Sequence, residues 1–195
     1  MTRLLLIRHA ETDLVGTFCG HSDPALNAMG WVQVGRLIVN LKNYSVEHVY
    51  TSDLQRAQQT AWEIASHFGA KCHVRAGLRE IHFGRWEGLP WSEIVLRDPE
   101  EANRWMKEYP YGNFPEGEDV RCFDARVRQE IEFLIGEADT KPVAVVTHGG
   151  VIRAALTQFA QASPAEAWRR TSEHAVVIPI EDPSNIRELQ TEVPR

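Results

Sequence analysis

The sequence predicts an α/β fold of three layers, with a mostly parallel central sheet and helices on both faces. Three observations predict it. Leu4-Leu5-Leu6-Ile7 and Val143-Ala144-Val145-Val146 are short, wholly apolar runs that stop abruptly at polar residues, as strands buried on both faces do. Segments of helical period lie between them. The chain thus alternates strand and helix, the pattern of a sheet wrapped by crossover helices.

In chain order, the run at 4–7 is the first strand, and Met29 to Leu41 forms a helix. Val49-Tyr50 forms a second, short strand. Leu54, Ala57, Ala61, Ile64 and Phe68 then fall on one helical face, with Ser52 as the expected N-cap. A loop bearing Gly and aromatic residues, Leu78 to Gly88, follows a short β-like segment. Residues 99–118 carry Trp105, Tyr109, Tyr111 and Phe114 among Pro and Gly. They read as a helix followed by an irregular loop, an insertion that either covers a site or pins its own aromatics. Phe123, Val127, Ile131, Leu134 and Ile135 mark the next helix. After the strand at 143–146, a helix carrying Val151, Ile152, Ala155, Leu156 and Phe159 opens behind Gly149-Gly150, and Ala175 to Ile180 form a last strand.

The 195 residues, 43% hydrophobic, suffice for one core, so the expectation is a single domain over 1–195. A net charge of −6 with no long basic segment argues against nucleic acid or a membrane surface as partner. Cys19, Cys72 and Cys122 form no CxxC pair and are odd in number, which favours a reducing cytoplasm over a disulfide framework. No apolar run near the N-terminus is long enough for a signal core or a span. Monomer and homodimer both remain open.

Ligands of open α/β sheets bind beyond the carboxyl ends of the strands. The first strand ends in Arg8-His9-Ala10-Glu11-Thr12. The strand at Val49 leads through Thr51-Ser52 to Arg56, and the strand at Val143 ends in Thr147-His148-Gly149-Gly150. Two Arg and two His therefore converge on one edge. Arg binds phosphate oxygens in pairs and stays charged. Gly149 lets backbone and helix N-terminus approach an anion closely. Phosphoryl transfer needs mainly alignment and charge stabilisation, which this set could supply without a metal or other cofactor. Neutral imidazole is a competent nucleophile, and Glu80 is a candidate proton donor for the leaving group. Taken singly, Arg56 reads as an exposed helical Arg and Glu80 as a solvated carboxylate; their convergence at three strand ends is what marks a site.

These residues also carry a resemblance. Arg8-His9-Ala10-Glu11-Thr12, Ser52 to Ala61, Leu78-Arg79-Glu80 with Phe83-Gly84 and Trp86-Glu87-Gly88, and Thr147-His148-Gly149-Gly150 resemble, in order, four motifs of the histidine phosphatase superfamily, its phosphoglycerate-mutase-like branch. Phe114 to Glu118 is similar to a segment found between the third and fourth. The resemblance implies a metal-independent phosphatase acting on a small-molecule phosphate monoester. His9 would be the phosphorylated nucleophile, Arg8, Arg56 and His148 phosphate ligands, and Glu80 the acid and then the base. Phe18, Cys19, Gly20 and His21 would lie in a loop closing over the substrate, with backbone donors from Cys19 and Gly20.

Two features depart from the family pattern. Ala10 stands where Gly is usual, and no Asn lies between Thr12 and Gly20 to help hold phosphate. Gly20-His21-Ser22-Asp23-Pro24-Ala25-Leu26 and the short chain look most like the small bacterial phosphatases, including α-ribazole phosphatase of cobalamin biosynthesis. Alternatives are a mutase returning the phosphoryl group to a sugar acid, a weakly catalytic phosphate-ester binder, and a metal hydrolase using His21, Asp23, His82 and His148. The spacing of that last set matches no metal-ligand pattern.

Overall fold

A computed structural model describes residues 4–180. Among the described residues five strands form one sheet: β1 (Leu4–Arg8), β2 (His48–Thr51), β3 (Lys71–Val74), β4 (Val143–Thr147) and β5 (Val177–Ile180), in the order β3-β2-β4-β1-β5. β1 and β4 run parallel, Leu4 opposite Val143 through Arg8 opposite Thr147. β2 lies parallel on the far side of β4, and β3 parallel to β2. β5 alone is antiparallel, pairing with β1.

The central strands are apolar throughout because both faces are covered. Leu4, Leu6, Tyr50, Val143 and Val145 pack on α5 (Val120–Ala138) and α6 (Gly149–Phe159). Their neighbours Leu5, Ile7, Val49, Ala144 and Val146 pack on α1 (Ala28–Leu41) and α2 (Gln55–Phe68). Alternation of strand side chains splits each run between the two layers. Side chains such as Ile7, Leu41 and Ile64 are inaccessible, each contributing about 1.5–3 kcal/mol by burial.

Three sequence expectations shift. The N-cap of α2 is Leu54 rather than Ser52; the Ser52 hydroxyl accepts the Leu54 N–H one step earlier. The last strand starts at Val177 because Ala175 has φ 55°, a left-handed angle that breaks extended pairing. Two seven-residue helices, α3 (Trp91–Arg97) and α7 (Pro164–Arg170), join the expected set. The 99–118 region is a helix, α4 (Pro99–Glu108), then an irregular stretch up to Asp119, which caps α5. Trp105 and Phe114 pack against Phe18, Trp86 and each other, so these aromatics pin the loop, while Tyr109 and Tyr111 stay exposed. Among the described residues no helix is long and apolar enough to cross a membrane.

Candidate active site

The adjacent parallel strands β2, β4 and β1 end side by side; His148 and His9 directly follow β4 and β1, and Arg56 comes from the first turn of α2, five residues beyond β2. His9 follows β1, its N–H extending the ladder to Thr147 O at 2.8 Å. Its Nδ1 lies 2.7 Å from Ala10 O, and Arg56 Nε donates to its Nε2 at 3.2 Å. Nδ1 therefore carries the proton and Nε2 the lone pair. Burial, and then the Arg56 guanidinium, hold the His9 pKa well below 6.5, so the ring is neutral at pH 7. Ala10 is fully buried and not among the positive-φ residues. Its methyl packs beside Leu26 and Val34, which accounts for the departure from Gly.

Arg56 sits in the first turn of α2 and is fully buried. Its Nη1 donates to Ser22 O at 2.6 Å, and its Nη2 to Gly20 O at 2.7 Å and Cys19 O at 3.1 Å. From the other side Glu87 accepts from the N–H groups of Gly20, His21, Ser22 and Phe83 and from the Ser22 hydroxyl. A Cβ on Gly20 would stand 2.2 Å from Ile81 O and 2.3 Å from Glu87 Oε1, so only Gly fits this clamp. Burial pushes Glu87 up, but these donors outweigh it and leave its pKa below the ordinary value.

Two expectations for this loop are corrected. The Cys19 N–H goes to Thr17 O and the Gly20 N–H to Glu87, so neither is free for phosphate. Phe18 packs edge-on to Phe83 and Trp86 because its ring is needed in the aromatic cluster, not at the site. His21 does reach the site's edge, its Nε2 3.0 Å from Glu80 O.

His148 is the N-cap of α6 and fully buried, and among the described residues neither of its ring nitrogens has a hydrogen-bond partner. Its ring centroid is 5.1 Å from that of His9. Burial, then Arg56, hold its pKa well below 6.5. An unpartnered buried imidazole is costly, and a ligand oxygen would relieve it. Glu80 is buried beside it, accepting the Gly150 N–H at 2.8 Å and the Ile81 N–H at 3.0 Å. Gly149 opens α6 next to these groups.

Arg8 donates through Nη1 to Thr171 O (2.7 Å) and Ser172 O (3.0 Å), and through Nη2 to His174 Nε2 (3.2 Å). Its Nε is buried and has no partner among the described residues. Burial and the neighbouring Arg153 lower its pKa to about 10. His174 lies 5.4 Å from the His9 ring, and burial and Arg8 push its pKa down to about 4. Neutral His174 is thus an acceptor that holds Arg8.

His174, Arg153 and the clamping role of Glu87 escaped the sequence reading. The alternative metal set does not converge. Asp23 accepts the Gln55 N–H and His82 the Gly84 N–H, and among the described residues no three His, Cys, Asp or Glu stand together to hold a metal ion. The geometry is an oriented neutral imidazole faced by guanidinium groups, a second unpartnered imidazole and a carboxylate.

The profile of the histidine phosphatase superfamily (branch 1) matches residues 4–187. The chain belongs to this superfamily. It is 31% identical over 167 residues to the adenosylcobalamin/α-ribazole phosphatase of Escherichia coli, covering 85% of this chain and 82% of that one. It is 29% identical to phosphoserine phosphatase 1 of Hydrogenobacter thermophilus, covering 95% and 90%. The crystal structure of the α-ribazole phosphatase from Shigella flexneri superposes with a TM-score of 0.75 at 25% identity, covering 92% and 96%. The chain also matches a bifunctional protein of Mycobacterium tuberculosis at 34% identity over 86% of its own length, but spans only 47% of that relative. In this chain the motif residues His9 and His148 directly follow β1 and β4 at the carboxyl edge of the sheet, and Arg56 lies in the first turn of α2, five residues beyond β2.

Proposed function

We propose that this histidine phosphatase hydrolyses small-molecule phosphate monoesters through a phosphohistidine formed on His9. One observation carries the reading: the Nδ1 proton is fixed on Ala10 O, so the Nε2 lone pair faces the cationic groups Arg56 and Arg8 and the unpartnered His148. The Arg56 N–H that rests on Nε2 is a donor that an incoming phosphate oxygen can take. Nε2 then attacks phosphorus and the P–O bond to the alcohol breaks. Glu80 in its acid form protonates the leaving oxygen. Ala10 O stabilises the charge the ring acquires. Water attacks next, giving its proton to the Glu80 carboxylate. The P–N bond breaks, phosphate leaves and the lone pair returns to Nε2.

Guanidinium groups and the N-terminus of α6 stabilise the transferring charge, so the scheme calls for no metal. Hydrolysis in chelator tests this, and loss of turnover in His9→Ala is required. Retained phosphate release in that variant would remove the proposal, and interconversion of phosphoglycerates without free phosphate would favour the mutase alternative.

The finer substrate candidate is α-ribazole 5′-phosphate, supported by the names of two similar proteins. Phosphoserine is second, on the name of another. A panel assay of phosphate release ranks them.

A further inference from the structure

The Ala10 carbonyl that fixes the His9 tautomer is itself held. The peptide joining Ala10 to Glu11 carries that oxygen on one side, 2.7 Å from His9 Nδ1, and the Glu11 N–H on the other. The Glu11 N–H donates to Oε1 of Gln33 at 2.9 Å. Gln33 lies in α1, outside all four sequence motifs.

The Gln33 amide is oriented from both ends. Its oxygen must meet the Glu11 N–H. Its nitrogen then faces the Glu11 carboxylate, which only accepts, with Nε2 3.4 Å from Oε2. Asn27 Nδ2 donates to the other carboxylate oxygen at 3.1 Å, while Asn27 Oδ1 caps α1 on the Gly30 N–H at 2.8 Å. The Asn27 N–H donates to the Glu11 carbonyl at 3.1 Å. Only a glycine at position 30 allows this approach, since a Cβ there would stand 2.2 Å from Glu11 O. On the other flank the Ala10 N–H donates to Thr60 Oγ1 at 3.1 Å, and that hydroxyl donates to Arg56 O at 2.8 Å. The backbone from His9 to Glu11 is thus clamped between α1 and α2.

A carboxylate, a carboxamide and a peptide therefore stand in line behind the nucleophile. Each dipole polarises the next, so negative charge is presented to Nδ1 through two amides. The ring needs that charge at one moment. When Nε2 bonds to phosphorus and the ester P–O bond breaks, Nδ1 keeps its proton and the ring becomes an imidazolium. An acceptor behind Nδ1 holds the tautomer and stabilises the charged ring.

We propose that Gln33 is a positioning residue for His9, acting with the Glu11 carboxylate through the 10–11 peptide to hold the Nδ1–H tautomer and stabilise the phosphorylated ring. The proposal deepens the phosphohistidine reading and rests on it. Loss of this relay raises the energy of the cationic phospho-ring. Its formation slows, while its hydrolysis, in which the ring leaves as neutral imidazole, does not. A merely displaced site would slow both steps.

The test follows single turnovers of a ³²P-labelled monoester. Gln33 lines a polar groove with Asn40 and Glu173, so the variant is Gln33→Leu, whose bulk keeps water from replacing the lost oxygen. The second variant pairs Gln33→Glu with Glu11→Gln, which swaps the two ends but keeps an acceptor for the backbone N–H and a donor for the carboxylate. Gln33→Leu should slow phosphorylation about tenfold. Phosphoenzyme hydrolysis should stay within about twofold of the parent or quicken, and inhibition by inorganic phosphate should stay within about twofold. The paired swap should restore phosphorylation to within about threefold of the parent. With ¹⁵N-labelled histidine, the resting parent should show His9 as one tautomer, protonated on Nδ1, and Gln33→Leu a mixture. Equal slowing of both steps, an unchanged tautomer in Gln33→Leu, or a paired swap no faster than Gln33→Leu overturns the proposal. Should Gln33→Leu fail to melt cooperatively, Glu11→Gln alone decides. It removes the charge and keeps the shape, so phosphorylation should slow with hydrolysis unchanged or faster, and parent rates would count against the relay. A parent that forms no phosphoenzyme sinks the phosphatase reading, while the spectra of the resting enzyme still judge the relay.

Discussion

Replacing Gly150 by Ala separates catalysis from folding. A Cβ at position 150 would stand 2.0 Å from Glu80 Oε1 and 2.9 Å from its Cδ. Ordinary contact needs about 3.4 Å or more, so the carboxylate must retreat by about 1.4 Å. The bonds it accepts from Gly150 and Ile81 cannot both survive that move. Misplacing a catalytic group by about 1 Å costs on the order of 100-fold, and losing a general acid costs about 10²–10⁴. The helix itself gains about 0.5–1 kcal/mol from Ala over Gly, offsetting part of the about 1.5–3 kcal/mol of a bond to a charged group. Gly150→Ala should therefore melt within a few degrees of the parent. Its kcat/KM should fall about 100-fold or more on an alkyl phosphate, whose alkoxide needs a proton, and less than about tenfold on p-nitrophenyl phosphate, whose leaving group does not. Equal losses on the two substrates, or an unaffected alkyl phosphate, would refute the assignment of Glu80 as the acid.

Other perturbations follow from the same geometry. Arg56→Lys cannot reproduce four directed bonds to His9, Ser22, Gly20 and Cys19; kcat/KM should drop at least about 100-fold, and steady-state kinetics with a melting curve checks it. Glu87→Gln should lower the melting temperature and raise KM, because Gln offers one acceptor oxygen to donors that now share two. The depressed Glu87 pKa means its stabilisation is fully present above the ordinary value of 4.5 and is lost as pH falls through the folded value. Glu87→Gln should therefore flatten the acid limb of the stability curve, and an unchanged limb in denaturant titrations would contradict this. His9, His148 and His174 are all held below 6.5 in the fold. Unfolded chains take up those protons first, so stability should decline as pH falls from about 6.5 toward 4, by up to about 1.4 kcal/mol per pH unit for each proton. His174→Asn should reduce that slope.

What could be read from the sequence follows burial. β1 and β4 announce themselves because both faces are covered, leaving no polar position to blur the run. β3, with Lys71 and Val74 exposed, is an edge strand whose mixed composition carries no such signal beyond a β-like stretch. Helices α3 and α7 are too short for a period to show. At the site, His9, Arg56, Glu80 and His148 were legible because chemistry-bearing types followed strand ends or lay in a marked loop. Arg153 was not, since an Arg inside an amphipathic helix looks like any solvated one; only its place four residues past Gly149, on the helix face that meets the sheet edge, hinted otherwise. His174 depends on the turn at Ala175 that brings the antiparallel β5 back beside β1, a tertiary event no local pattern encodes. Phe18 misled because a loop aromatic next to Cys19-Gly20 suits a substrate cover as well as it suits the cluster with Trp86 that it joins.

The central claim is most directly tested by rapid acid-free quench of the enzyme during turnover of a ³²P-labelled monoester, followed by peptide mapping. The account predicts an alkali-stable, acid-labile label on Nε2 of His9 that forms and decays at rates consistent with turnover. Label on another residue, or turnover with no phosphoenzyme formed at a competent rate, would contradict it.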